Sequence, residues 1–281
     1  MAILMAGMKQ APAPSRMNRK KTFESDLARL RGGTLPSKTS WDSETFQQVV
    51  QWYHLSLYRY YAIHTNGDLH FAKNLTGETF SVVYHKPVSF EKGTFSSWFF
   101  GLAWDVLHEH YARPGSEMRR SKGLSADRST GHEPGPNHTE LLAILKILST
   151  LTFYSRETLC LRLFAELSIK EIAMLMDKRP VTVKTLVYQG MTEFASRMEG
   201  VESTVLPRQQ LLTLARSYHL YLEEVSTDSR LQQQIDPNLA RATNRLLALR
   251  EALTMNPEAY TDLVSKMEQV VRSGNISATR L

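Results

Sequence analysis

The run Leu167-Ser168-Ile169-Lys170-Glu171-Ile172-Ala173-Met174-Leu175-Met176, followed by Asp177-Lys178-Arg179 and then Pro180-Val181-Thr182-Val183-Lys184-Thr185, decides the reading of this chain. Ser168 and Glu171 stand three apart, the spacing of a capping box in which each side chain satisfies the other's backbone N–H. Ile172, Leu175 and Met176 then share one helical face, and Ala173 is small enough for a second helix to cross closely. Three residues turn the chain, and Pro180 opens the next helix, where its missing N–H is harmless. In that second helix Val183, Val187 and Phe194 are expected to face inward. Thr182, Lys184, Thr185, Tyr188 and Gln189 are expected to face outward. The pattern is that of a helix-turn-helix, whose second helix enters a DNA major groove and reaches phosphates and base edges with short polar and basic side chains. An ordinary helical hairpin has the same apolar pattern.

The rest of the chain is compatible with such a motif. It has 281 residues, 42% hydrophobic, with 34 Lys plus Arg against 28 Asp plus Glu. That excludes an acidic or wholly disordered chain, and a net charge of +6 permits a polyanionic partner without demanding one. One cysteine, Cys160, excludes a disulfide framework and a Cys-based zinc site, and its apolar position reads as core. No apolar run approaches the roughly 18–20 residues that span a bilayer. Met1 to Met8 is short for a signal-peptide core and no basic segment precedes it, so a cytoplasmic setting is expected. His108 and His110 are two apart on a helix and do not converge on a metal. There is no Gly-rich phosphate loop and no nucleophile elbow. No cofactor, metal or catalytic residue is expected.

Outward from the motif the chain divides by composition into an all-α arrangement. Residues 1–40 read as a mobile arm with the basic cluster Arg16, Arg19, Lys20 and Lys21. Residues 41–111 hold three helices. The first is capped by Asp42 or Ser43 and carries Phe46, Val49, Val50, Tyr53, Leu57 and Tyr60. The second spans Phe71 to Tyr84, and the third starts near Thr94 with Phe95, Trp98, Phe99, Leu102, Val106 and Leu107. Residues 112–140, with Pro114, Pro134 and Pro136, read as a flexible linker. Residues 141–200 hold the helix-turn-helix. In 207–281, Asp236-Pro237 and Asn256-Pro257 each place a capping side chain before a proline, and Gly274 is expected to end the last helix.

On these residues the chain resembles the sigma-70 family, in the form of extracytoplasmic-function (ECF) sigma factors. Leu142 to Leu148 and Arg156 to Arg162 are similar to the lead-in helices of region 4, and Leu167 to Ala173 with Thr182 to Thr185 to its scaffold and recognition helices. Leu57-Tyr58-Arg59-Tyr60, Gly67-Asp68 and Ala72 to Phe80 look like the start of region 2. Phe95 to Asp105 resembles the signature of its later helix. The likeness covers about Phe46 to Met198. It implies a dissociable initiation subunit of bacterial RNA polymerase, held by the core enzyme's clamp helices and flap. The −35 element would be read by Arg179, Pro180, Thr182, Lys184, Thr185, Tyr188 and Gln189. The −10 element would be read and opened by Trp104, Asp105, His108 and Arg113, and the polymerase bound by Asn74, Leu75, Glu78 and Phe80. Two small domains on a tether raise each other's effective concentration at two promoter elements, and aromatic side chains hold unstacked bases.

The departures are informative. Where the family usually has Asp-Leu-Val-Gln-Glu, this chain reads Asn74-Leu75-Thr76-Gly77-Glu78. Asp105 stands for a usual Asn, Asp177 for a usual Gly and Leu186 for a usual Arg. The C-terminal helices read either as a stabilising appendage or as a regulatory module that shields the recognition helix or binds an anti-sigma or other regulatory partner. Two other functional classes stay open: a stand-alone helix-turn-helix regulator that does not bind polymerase, and a protein-interaction module.

Overall fold

The first helix of the described structure is buried on one face at its start and all round toward its end. A computed structural model describes residues 41, 43–85, 94–112, 138–200, 206–224 and 235–278, all within the unit Ser40–Leu281, and among these the regular structure is entirely helical. The basic arm, most of the expected linker and Arg113 lie outside the described residues.

Helix α1 (Ser43–His64) buries every residue from Ser56 to His64. Asn66 and Gly67 take positive φ and reverse the chain, and Asp68 Oδ1 accepts from the Phe71 amide at 2.8 Å to open α2 (Leu69–His85). Helix α3 (Phe95–Ala112) closes an aromatic core in which Tyr53 meets Phe95 and Phe99, and Phe80 meets Phe99, at centroid distances of 4.9–5.6 Å. Such edge and tilted contacts add specific geometry to the area each ring buries. Buried hydroxyls are paired: Tyr53 with Ser96 at 2.8 Å, and Tyr61 with both Thr79 and the Ala103 carbonyl.

Helix α4 (His138–Thr150) starts inside the segment expected to be linker. Helix α5 (Phe153–Leu159) runs into a π-helical turn, Cys160–Phe164, and α6 (Ile169–Leu175) and α7 (Pro180–Glu199) form the expected pair. Cys160 is fully buried, as its position implies, and burial raises its thiol pKa well above the ordinary value. The C-terminal helices are α8 (Arg208–Glu224), α9 (Pro237–Ala252) and α10 (Pro257–Ala278). Asp236 Oδ1 accepts from the Asn238 amide and Asn256 Oδ1 from the Ala259 amide, so both expected caps form. Gly274 does not end the last helix, which continues to Ala278; a lone glycine lowers helix propensity by about 1 kcal/mol and does not by itself terminate a helix.

The segments expected as separate, tethered domains are packed on one another. Helix α1 lies against the π turn and α3 against α6, while α9 touches the π turn and α10 lies on α2. Polar pairs cross the junction: Tyr60 Oη donates to Glu157 Oε1 at 3.1 Å, Thr94 Oγ1 donates to Glu171 Oε1 at 3.2 Å, and His64 Nε2 lies 3.1 Å from Glu157 Oε2. The Tyr60 phenol pKa is raised, first by burial and then by the Glu157 carboxylate, which keeps it a neutral donor.

Arg59 joins the segments most tightly. Only 2% exposed, it donates from Nε to the Leu253 carbonyl at 3.1 Å, and its Nη atoms lie 3.4 Å from Glu166 and 3.6 Å from Glu251. Replacing Arg59 with Ala leaves the Leu253 carbonyl and the Glu166 carboxylate short of a donor. This should lower the unfolding free energy by about 2–3 kcal/mol. Urea denaturation followed by circular dichroism measures it; a loss below about 0.5 kcal/mol would show that Arg59 does not tie the segments.

Candidate nucleic-acid interface

The start of α6 is fixed as its sequence dictates. Ser168 Oγ accepts from the Glu171 amide at 3.3 Å, and Glu171 Oε2 accepts from the Ser168 amide at 2.7 Å. Both halves of the capping box are therefore present. The end of α6 is a Schellman turn: the Lys178 amide donates to the Ala173 carbonyl at 2.9 Å and the Asp177 amide to the Met174 carbonyl at 3.4 Å. Asp177 sits at φ 49°, the left-handed conformation that a glycine would otherwise supply and that Asp tolerates better than most residues. Pro180 occupies the first turn of α7 after Arg179 in extended conformation.

Helix α7 crosses α5 at very short range. A Cβ on Gly190 would stand 2.9 Å from the Ser155 carbonyl oxygen and 3.1 Å from Leu159 Cγ, so only glycine fits this crossing. Its importance is not legible in the sequence, where an isolated glycine inside a helix reads only as a weak point. Val183, Val187 and Phe194 are buried as expected.

Of the seven recognition-helix candidates, Arg179, Pro180, Thr182 and Gln189 are exposed, and Lys184 and Thr185 are partly so. Thr185 Oγ1 donates to the Val181 carbonyl at 3.0 Å. Tyr188 departs from the expectation: it is buried, with its ring 5.9 Å from that of Tyr218 on α8. The α7 pattern alone gives no sign of this, because the covering residue lies in the C-terminal helices. A groove beside it is lined by Leu186, Leu211, Leu214, Asp236 and Leu239, so the leucine at the usual Arg position faces C-terminal helices.

The α3 candidates also divide. Asp105 and His108 are exposed, and Trp104 is half-buried. The Trp104 ring lies 3.9 Å from that of His108 and 5.5 Å from that of Phe153 on α5. Phe153 and Tyr154 are about half exposed, their rings 5.3 Å apart, and Lys178 Nζ lies 4.6 Å above Tyr154. Sequence reading passed over Phe153 and Tyr154; adjacent aromatics at the very start of a helix are the signal that would have found them. His110 is drawn away by a 2.5 Å contact with Glu78.

The α2 candidates need a correction. Leu75 and Phe80 are fully buried in the aromatic core, because the face they share with Ala72, Thr76 and Val83 points inward. They support the helix and present no surface. Asn74 is exposed and Glu78 partly so. Among the described residues no cluster of His, Cys, Asp and Glu is arranged to hold a metal ion, and no helix is long and apolar enough to cross a membrane.

Over 184 residues, which are 63% of this chain and 69% of the relative, the sequence is 23% identical to the ECF RNA polymerase sigma factor BldN of Streptomyces coelicolor. The chain is distantly similar to an ECF sigma factor. No family model and no solved structure matches the chain.

His219 on α8 faces the recognition helix. Burial lowers its pKa from the ordinary 6.5, the Lys184 charge on α7 lowers it further, Glu223 opposes, and Arg162 adds to the lowering. A depressed folded-state pKa means that the unfolded chain takes up the proton first. Stability is therefore full above about pH 6.5 and falls as pH drops toward the folded value. Unfolding midpoints measured between pH 7.5 and 5.5 should fall less for His219→Gln than for the unaltered chain. Equal pH slopes would overturn this.

Proposed function

We propose that this chain is a sigma factor of the ECF type, a dissociable subunit that binds bacterial RNA polymerase core and directs it to promoters. The observation that carries the reading is the helix-turn-helix, with its capping box, its Schellman turn, and Arg179, Pro180 and Thr182 exposed at the start of α7 and Gln189 exposed at its middle. The distant likeness to an ECF sigma factor supports it over a generic helical hairpin.

In this reading α7 enters the major groove of the −35 element. Thr182 and Gln189 offer hydroxyl and amide groups to base edges, and Arg179 and Lys184 neutralise phosphates. Helix α3 presents Trp104, Asp105 and His108 to the −10 element, with Arg113 following. Asn74 and Glu78 on α2 face the polymerase clamp, while Leu75 and Phe80 hold α2 in shape from within. The chain carries out no covalent chemistry; polymerase supplies the active site and its metal. Its setting is the cytoplasm, where polymerase and promoter are.

One observation favours the stand-alone regulator as a second reading: α10 lies on α2, the helix assigned to polymerase. Dependence on core enzyme separates the two. Promoter fragments should be bound only in the presence of sigma-free core polymerase, and the triple variant Arg179→Ala, Thr182→Ala, Gln189→Ala should lose about a hundredfold in promoter affinity. Association with core polymerase should change less than twofold. Tight promoter binding without polymerase would instead establish the regulator.

A further inference from the structure

The C-terminal helices lie on both halves of the candidate interface. Helix α10 runs along α2. Lys73 Nζ is 2.8 Å from Asp262 Oδ2 and Tyr84 Oη donates to the Val271 carbonyl at 3.4 Å, while on neighbouring α1 the His54 ring lies 4.5 Å from that of Tyr260. Buried Leu263 enters where α2 has no side chain: a Cβ on Gly77 would stand 3.7 Å from Leu263 Cδ1. That is an ordinary van der Waals contact, so Leu263 lies directly over the bare backbone at Gly77. Gly77 is also one of the departures noted above, standing where the resembling pattern carries Gln. The glycine that weakens α2 as a helix thus lies under the α10 contact.

The other arm holds α7. Tyr218 of α8 covers Tyr188 and shares a 2.8 Å hydrogen bond with Thr243 of α9. Arg162, in the π turn before the motif, reaches Glu223 at 2.5 Å and donates to the Leu167 carbonyl at 3.1 Å. The two arms are joined at Leu253, the C-cap of α9, whose carbonyl accepts from Arg59 of α1.

We propose that α8, α9 and α10 form an intrachain clamp that holds the chain in a closed form: α10 lies along the Lys73–Gly77–Tyr84 side of α2, next to the Asn74 and Glu78 that polymerase would contact, and polymerase binding requires α10 to move away. This rests on the sigma-factor reading, in which Asn74 and Glu78 beside the α10 contact face the polymerase. A closed form lowers apparent affinity by the fraction of molecules that are open, so a change that frees α10 raises affinity without touching α2.

Two full-length variants test it, both altering α10 alone. Leu263→Asp puts a charge against the bare backbone at Gly77. Asp262→Lys, on an exposed residue, sets like charge against Lys73 and leaves the core intact should the first variant fold poorly. Binding to sigma-free bacterial core polymerase is measured by titration with labelled chain, and amide hydrogen exchange reports the exposure of α2. The expected result is faster exchange in α2 for both variants, retained helical circular dichroism, and affinity raised about tenfold or more by Leu263→Asp and less by Asp262→Lys. Faster exchange in α2 with unchanged polymerase affinity would overturn the clamp and leave the sigma-factor reading standing. Unchanged exchange in both variants would show that these contacts do not hold α10 in place. No binding by any form, including one whose α2 is exposed, would remove the sigma-factor reading itself.

Discussion

The guanidinium of Arg59 is the constraint on which the arrangement of segments depends. A buried charge is tolerated only where it is paired and hydrogen-bonded. Its partners come from the turn after the π helix and from the end of α9, 107 and 194 residues away. None of these segments satisfies the charge alone. Helix α1 therefore fixes where the helix-turn-helix and the C-terminal helices can sit, and they in turn fix Arg59. The aromatic layer of α1–α3 adds apolar burial, which is not directional. Directional bonds to a planar, five-donor group accept few orientations of its neighbours.

Local features of the fold were legible because their causes are local. The capping box at Ser168 and Glu171, the left-handed Asp177, Pro180 in the first turn of α7 and the two Asx-Pro caps each involve residues within five positions of one another. What was not legible depends on partners far along the chain. Tyr188 lies at an outward position of α7 and is covered only because Tyr218 arrives from α8. Leu75 and Phe80 sit in a motif whose likeness suggested surface, whereas the burial of Ala72, Thr76, Thr79 and Val83 marks their face as core. Gly190 needed the α5 crossing before its lack of a side chain had meaning. Composition marks the linker but does not register a contact such as Arg59 to Leu253.

The candidate interface is consequently narrower than the motif alone suggests and gains residues from outside it. In the sigma-factor reading, recognition is left to the exposed N-terminal part of α7 and to Gln189, which is exposed at the edge of the groove between α7 and the C-terminal helices. Beside it runs a series of exposed or half-exposed rings, Trp104, His108, Phe153 and Tyr154, ending at Lys178 over Tyr154. Ring faces next to a cation suit unstacked bases and sugar-phosphate alike. The series joins α3 to α5 only while the two halves are packed together, so its members act as one surface in this arrangement and as two when the halves separate.

That dependence bears on how strongly the halves are held. Their junction is built in good part from polar pairs: Tyr60 with Glu157, His64 with Glu157, Thr94 with Glu171, and the Arg59 cluster. Each pair satisfies a group that water could also satisfy, so opening the junction replaces most of these bonds rather than losing them, and the net stabilisation per bond is only about 1 kcal/mol. Apolar contacts also cross it, Trp104 with Phe153, Leu175 against Gly101 and Leu145 against Gly67 among them. In the sigma-factor reading the two promoter elements must be met by α3 and α7 at the same time, and the polar pairs and the Arg59 cluster are contacts that any separation of the two would have to break.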